Sequence, residues 1–311
     1  MKSTLRNSSD SPRFAQPATF MRLPHQTELA GVDVAILGAP FDSGTSYRSG
    51  ARLGPREIRS QSSLIRPWSY FQKVSPFESL MVVDAGDIDV PPVGIDKAYE
   101  AIERGVGRVL DAKAIPMIVG GDHSISLPCL RAVAAKHGPV SLIQFDAHID
   151  TWGDYFGGKY FHGSPFRRAI EEGLLRPGEY TQVGIRGPMY GEEADFAFQT
   201  AHRVNTIDIA QVKQQGIGTT VDRIRANTSG AVYVTFDIDS VDPAYAPGTG
   251  TPEVGGLTSY EAQELVRGLA GLDVVGCDIV EVAPQFDGPG QITALLAANL
   301  MFELLCVIAR K

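Results

Sequence analysis

The sequence predicts a single α/β domain of three layers, with helices on both faces of a mainly parallel sheet of about eight strands. Three observations carry this. Short apolar runs recur along the chain and read as near-continuous buried strands, not as half-buried ones with alternating polarity. Segments with apolar residues at helical spacing separate these runs, so strand and helix alternate. The 311 residues, 43% hydrophobic and 21% charged, supply a large core, and no linker divides them.

Residues 1–30 are polar and Pro-containing and read as an N-terminal arm, with residues 31–311 forming the single domain. An arm of this kind often packs on a neighbouring subunit or stays mobile. The run 32–40, VDVAILGAP, is the first strand; the Gly-rich stretch FDSGTSYRSGARLGP follows, and Pro55 stands where a helix begins. Strand 79–87 leads through Pro91 and Pro92 to a helix over 95–112, whose Ala98, Ile102, Val106, Val109 and Leu110 recur at helical spacing. Residues 115–119 form a strand ending in GGDHS, and 127–135 a helix; strand 141–146 comes next. Residues 152–164 are rich in glycine and aromatics, lack a period, and make a long loop. Beyond it the pattern gives helix 167–174, strand 180–185, helix 191–200, strand 202–206, helical sequence to about 226, strand 231–239, helix 258–271, strand 273–282 and helix 293–309.

Lys and Arg total 28 against 36 Asp and Glu, a net charge of -8, and no basic cluster stands out. Nucleic acid and anionic membrane are therefore poor partners. Cys129, Cys277 and Cys306 are widely spaced among apolar neighbours and read as buried thiols in a reducing compartment. No secretory signal is evident, and no stretch nears the roughly 20 apolar residues of a membrane span. The expected compartment is the cytoplasm.

Parallel sheets place function beyond the carboxyl ends of their strands. There stand His123 after the third strand, Asp146, His148 and Asp150 after the fourth, and Asp237 and Asp239 after the 231 strand. In an extended chain alternate side chains share a face, so Asp146, His148 and Asp150 would point one way. Two imidazoles and four carboxylates are more than one first-row ion uses, whereas two ions sharing bridging carboxylates use them comfortably. Oxygen donors with imidazole suit manganese, with nickel, cobalt and iron as alternatives, and the lack of thiolate disfavours structural zinc. A water held between two such cations loses a proton near neutral pH and becomes a strong nucleophile. The implied reaction class is metal-assisted hydrolysis. His25, His137 and His202 fall outside any pattern and read as structural.

The motifs GGDHS (120–124), FDAHID (145–150) and FDIDSVDPAYAPGTGTPE (236–253) resemble three signatures of the ureohydrolase family, which includes arginase and agmatinase. GTSYRSGARLGP, FHGSPFRR and IVEVAP (279–284) match too, so the resemblance covers almost the whole chain, and PGTGTPE is closest to the agmatinase-like branch that includes guanidino-acid hydrolases. The resemblance implies an arginase-like fold and a homo-oligomer, trimer or hexamer. It implies that His123, Asp146, Asp150 and Asp237 hold one manganese, and Asp146, His148, Asp237 and Asp239 the other. Asp150 then counts as catalytic beside His162, a proton carrier, and Glu281, the carboxylate that pairs with a guanidinium.

The implied activity is hydrolysis of a small linear guanidino compound, agmatine-like, to urea and a primary amine. A guanidino-acid hydrolase of guanidinobutyrase or guanidinopropionase type is the alternative with the same chemistry, and a catalytically silent metal-binding subunit a remote one. Specificity is expected in the loop 152–162. Asp154, Trp152, Tyr155 and Tyr160 would meet an ammonium tail; Arg48, Lys159, Arg167 or Arg168 would meet a carboxylate tail. Ile149 replaces the family's small polar residue between two ligands, and with Trp152 it places bulky apolar groups where the tail is expected.

Overall fold

The computed structural model describes residues 2–311. Eight strands, β1 (Val34–Ala39), β2 (Val82–Asp87), β3 (Ile115–Gly120), β4 (Val140–Phe145), β5 (Leu175–Ile185), β6 (Asn205–Asp208), β7 (Ala231–Asp237) and β8 (Asp273–Val280), form one sheet in the order β2-β1-β3-β8-β7-β4-β5-β6. Every pairing is parallel. Such pairing requires crossovers, and helices supply most of them.

Helices α1 (Gly54–Ser62), α2 (Pro76–Ser79), α3 (Ile95–Asp111), α4 (Ser126–His137), α5 (Pro165–Glu171), α6 (Glu192–Ala201), α7 (Ile209–Ala226), α8 (Ser259–Arg267) and α9 (Ile292–Ala309) complete the layers. One face is covered by α3, α4 and α5, through Ile102, Val106, Leu130 and Phe166. The other is covered by α1, α7, α8 and α9, through Ile58, Ile224, Leu265 and Leu304. Strand 202–206 begins later than its sequence suggests, because Arg203 turns the chain at a φ of 57° after α6. The four-residue α2 is too short to show a period.

Two features depart from sequence expectation. Helix α9 is 18 residues long and apolar enough, by length and composition, to cross a membrane, yet 78% of it is buried inside the fold. It is apolar on most sides because strands and helices enclose it, and its one buried carboxylate, Glu303, is paired with Arg267. The N-terminal residues, read as an arm, run along the edge strand β2. Ser3 Oγ donates to Leu80 O (2.8 Å) and accepts from Val82 N–H, Phe20 N–H donates to Asp84 Oδ2 (2.9 Å), and Phe20 and Met21 are fully buried. The segment thereby covers β2, an edge that would otherwise present unpaired backbone groups.

Strand order also positions the site. The four central strands β3, β8, β7 and β4 are neighbours, and each carries candidate residues at or just beyond its carboxyl end.

Candidate metal centre and substrate cleft

The first group forms around His123. Its Nδ1 lies 3.0 Å from Asp146 Oδ2, 2.9 Å from Asp150 Oδ2 and 3.1 Å from Asp237 Oδ2. The second forms around His148, whose Nδ1 lies 2.9 Å from Asp239 Oδ2 and 3.6 Å from Asp146 Oδ1. Asp146 turns one oxygen to each group. Ligand-type atoms of His123, Asp146 and Asp237, and again of Asp146, His148 and Asp239, converge within 4.8 Å of one another.

The donors fit metal ions. His123 Nδ1 and Asp239 Oδ2 are buried and crowded by other ligand-type atoms, yet neither makes a hydrogen bond of proper geometry. Buried polar atoms seldom go unpaired unless another ligand completes them. His123 Nε2 is already engaged, bonded at 2.8 Å to Thr235 Oγ1, which donates at 2.5 Å to Asp278 Oδ1. Tyr233 and Ser126 hydroxyls hold the other oxygen of Asp278 at 2.7 and 2.8 Å. The imidazole is thus fixed with its Nδ1 lone pair toward the aspartates, the usual arrangement behind a metal-ligating histidine.

The electrostatics agree. Burial would lower the His123 pKa, but the carboxylates of Asp146, Asp150 and Asp237 hold it well above the ordinary histidine range. Burial and the Asp146 charge push Asp150 up to about 6, and burial with Asp239 and Asp146 raises Asp237 well above the carboxylate range. Four crowded carboxylates demand positive charge, from protons or from metal.

The backbone that brings these groups together is not the extended strand expected after residue 141. β4 stops at Phe145, and the chain turns: Asp146 Oδ1 accepts His148 N–H at 2.6 Å, and Asp150 has a φ of 48°. Asp146, His148 and Asp150 converge through this turn, not through strand alternation. Asp239 sits in a short 3-10 turn after β7, its N–H donating to Asp237 Oδ1 at 2.8 Å. His123 is reached through Gly121, where an added Cβ would overlap the Phe41 carbonyl oxygen and stand 2.7 Å from that of Ala39.

His162 and Glu281 meet beside this cluster. His162 Nδ1 is 3.0 Å from Glu281 Oε1, which also accepts His123 N–H at 2.9 Å, and its Nε2 is 2.7 Å from Ser46 Oγ. Burial lowers the His162 pKa, but the Glu281 carboxylate more than offsets it, bringing it to about 9. Glu281 lies behind His162, outside the cleft lining, with Oε2 buried and unpartnered. Its φ of 63° is a left-handed conformation that a non-glycine residue adopts at a cost of order 1–3 kcal/mol.

Over the cluster lies a cavity of about 580 Å³. Trp152, Asp154, Tyr155 and Phe161 line it, with Met189, Tyr190 and Glu253 and with His148, Asp150, His162 and Asp237. The loop 152–162 thus contributes to the wall, folded by reciprocal backbone bonds between Tyr155 and Gly158 (2.9 Å each) around Phe156 and Gly157, both at positive φ.

Three expected specificity positions lie elsewhere. Tyr160 packs its ring 5.3 Å from Tyr99 and receives a bond from Arg131 at 3.3 Å, under the loop instead of in the cleft. Arg48 stacks over Tyr47 and Phe286, 5.3 Å from each centroid. Ile149 is fully buried, its carbonyl bonded at 2.6 Å by Gln182, so its bulk does not meet the cleft. Of the other cations, Arg167 and Arg168 pair with Glu171, and Lys159 lies 4.7 Å over Tyr160. Among the described residues the cleft lining contains no lysine or arginine.

Sequence reasoning missed Glu253, Met189 and Tyr190 in the cleft and Thr235 and Asp278 behind His123. The last two had a signal: each is a polar residue inside an otherwise apolar buried strand, and such a group needs a partner.

Residues 32–306 match the profile described as Arginase family. The guanidinopropionase of Pseudomonas aeruginosa is 47% identical over 305 residues, spanning 97% of this chain and 95% of that protein. The mitochondrial agmatinase of Gallus gallus is 44% identical over 292 residues, 93% of this chain and 85% of that protein. The solved structure of proclavaminate amidino hydrolase from Streptomyces clavuligerus superposes with a TM-score of 0.92 at 43% identity, covering 96% of this chain and 99% of that one. With its eight-stranded parallel sheet, its paired His/Asp clusters and these relatives, this chain belongs to the arginase family of metal-dependent amidinohydrolases.

Proposed function

We propose that this protein hydrolyses the guanidino group of a small linear guanidino compound, releasing urea and a primary amine, with two manganese ions held by the six clustered side chains. The observation that carries this reading is Asp146, whose two oxygens face two separate histidine-centred groups. In this reading His123, Asp146, Asp150 and Asp237 would hold one ion, and Asp146, His148, Asp237 and Asp239 the other. Manganese is chosen over nickel or cobalt for the oxygen-rich donor set. When bound, such a pair supplies an activated water and positive charge to stabilise the attacked carbon's substituents.

The chain's own residues do the rest. Asp278 and Thr235 keep Nδ1 of His123 turned toward the aspartates. His162 carries its proton at neutral pH and, from the cleft wall, would pass it to the leaving nitrogen. Glu281 fixes His162 through Oε1, and a guanidinium that reaches past His162 would find its buried, unpartnered Oε2 as an acceptor. Trp152, Tyr155 and Phe161 close the cleft around the tail.

Asp154 and Glu253 beside aromatic rings, with no lysine or arginine among the described lining residues, favour an ammonium tail of the agmatine kind. A carboxylate tail is the second reading, favoured by the guanidinopropionase relative. The reading includes a trimer or hexamer, as the family resemblance implies, and a cytoplasmic setting, supported by three buried free thiols. Urea release by the manganese-loaded protein tests it across agmatine, guanidinobutyrate, guanidinopropionate and arginine. Agmatine should be the fastest; release from the acids alone would reassign the tail, and no release from any would overturn the reading.

A further inference from the structure

Helix α6 turns an unusual face to the protein. Its two buried residues are Asp195 and Gln199, both polar and each about 2% exposed. A buried carboxylate costs several kcal/mol unless hydrogen bonds repay it, so where its bonds go shows what it holds. Asp195 Oδ1 accepts the indole N–H of Trp152 at 2.7 Å, and Oδ2 accepts the backbone N–H of Gly191 at 2.7 Å. Gln199, one turn further on, donates to Thr151 Oγ1 at 3.2 Å. The polar face of α6 thus grips the chain directly after the last aspartate of the FDAHID motif.

Trp152 is the side chain so held, and it lines the cleft. Its ring lies 6.5 Å from the His148 ring and edge-on to Tyr190 at 6.2 Å and 81°. The site is cut to receive it: a Cβ on Gly163 would stand 2.7 Å from Trp152 Cε3. Opposite, Pro188, Met189 and Tyr190 line the same cleft between Gly187 and Gly191, which have φ values of 84° and 150°. One carboxylate therefore joins two walls, the indole through Oδ1 and the 188–190 turn through Oδ2.

We propose that Asp195 is a positioning residue for specificity, fixing Trp152 and the 188–191 turn as the walls that read the substrate's tail. The proposal rests on the amidinohydrolase reading. It concerns the tail and not the reacting carbon, because Asp195 touches neither the metal-type ligands nor His162. Freeing the indole should therefore weaken binding and leave the chemical step largely intact.

The test uses full-length protein with Trp68→Phe, which leaves Trp152 as the one remaining tryptophan. In that background Asp195→Ala should red-shift Trp152 emission and increase its quenching by acrylamide without substrate. For the best guanidino substrate it should raise KM ~10-fold while kcat stays within ~3-fold and manganese content is unchanged. Asp195→Asn, which keeps an acceptor for the indole, should restore the emission and most of the KM. Trp152→Phe, which keeps a ring but removes the N–H, should raise KM without Asp195 being touched, and Asp195→Ala added to it should raise KM by a smaller factor than it does with Trp152 present. Unchanged emission and KM in Asp195→Ala, or a kcat loss with KM preserved, would overturn the proposal. Emission is read without turnover, so failure of every guanidino substrate would count against the functional reading and not against this one.

Discussion

His123 offers Nδ1 to three aspartates because its other nitrogen is committed to Thr235, and Thr235 is in turn committed to Asp278. The order matters chemically: a freely rotating imidazole would spend part of its time with the wrong nitrogen toward the cluster. His162 is held in the same manner, between Glu281 and Ser46. With its pKa brought to about 9, His162 is cationic at neutral pH and loses its proton as pH rises through about 9. If it protonates the leaving amine, kcat should fall over that alkaline window, and His162→Asn should lower kcat ~100-fold and abolish the fall. A pH–rate profile with an unchanged alkaline limb in the variant would remove His162 from that role. His123, Asp146, His148, Asp150, Asp237 and Asp239 could be picked from sequence because unlike segments ended in the same ligand chemistry. Asp195 could not, since its hold on Trp152 is a contact 43 positions apart; Thr235 and Asp278 stood out only as polar residues in apolar strands, and their partners, 112 and 43 positions away, did not.

At the level of elements, the central strands were legible because they are mostly apolar runs buried on both faces, such as β1 and β3. The turns beyond them were not, because their shape depends on Asx-type bonds and positive φ values that carry no periodicity. Asp146 to Asp150 illustrates this: the three side chains converge, but through a turn and not along an extended strand. Tyr160 shows the converse, a loop aromatic claimed by Tyr99 on α3. The second glycine of GGDHS has a mechanical reason, since Gly121 passes against the backbone carbonyls of Ala39 and Phe41, which cannot move aside as a side chain would. Gly121→Ala should therefore destabilise the protein by ~2–3 kcal/mol, and it should shift the turn carrying His123. Thermal melts with metal titration check this; a variant as stable as the parent, with unaltered metal affinity, would contradict it.

Across the whole molecule, the strand order places β3, β8, β7 and β4 side by side, so residues far apart in sequence meet at one edge of the sheet. Alternation of strand and helix predicted the layers but not this order, which crossover connections decide. The same central position explains α9, whose largely apolar sequence would suit a membrane span by length and composition and is a core helix by location. The net charge of -8 also acquires a place: four aspartates gather within one buried cluster, where two divalent ions would balance them. Metal stoichiometry of the full chain tests that most directly, by elemental analysis after manganese loading and removal of free ion. Two ions per chain in the parent, with loss of both in Asp146→Ala, is the expected result. One ion or none in the parent, or two retained by the variant, would contradict a paired centre built on a shared Asp146.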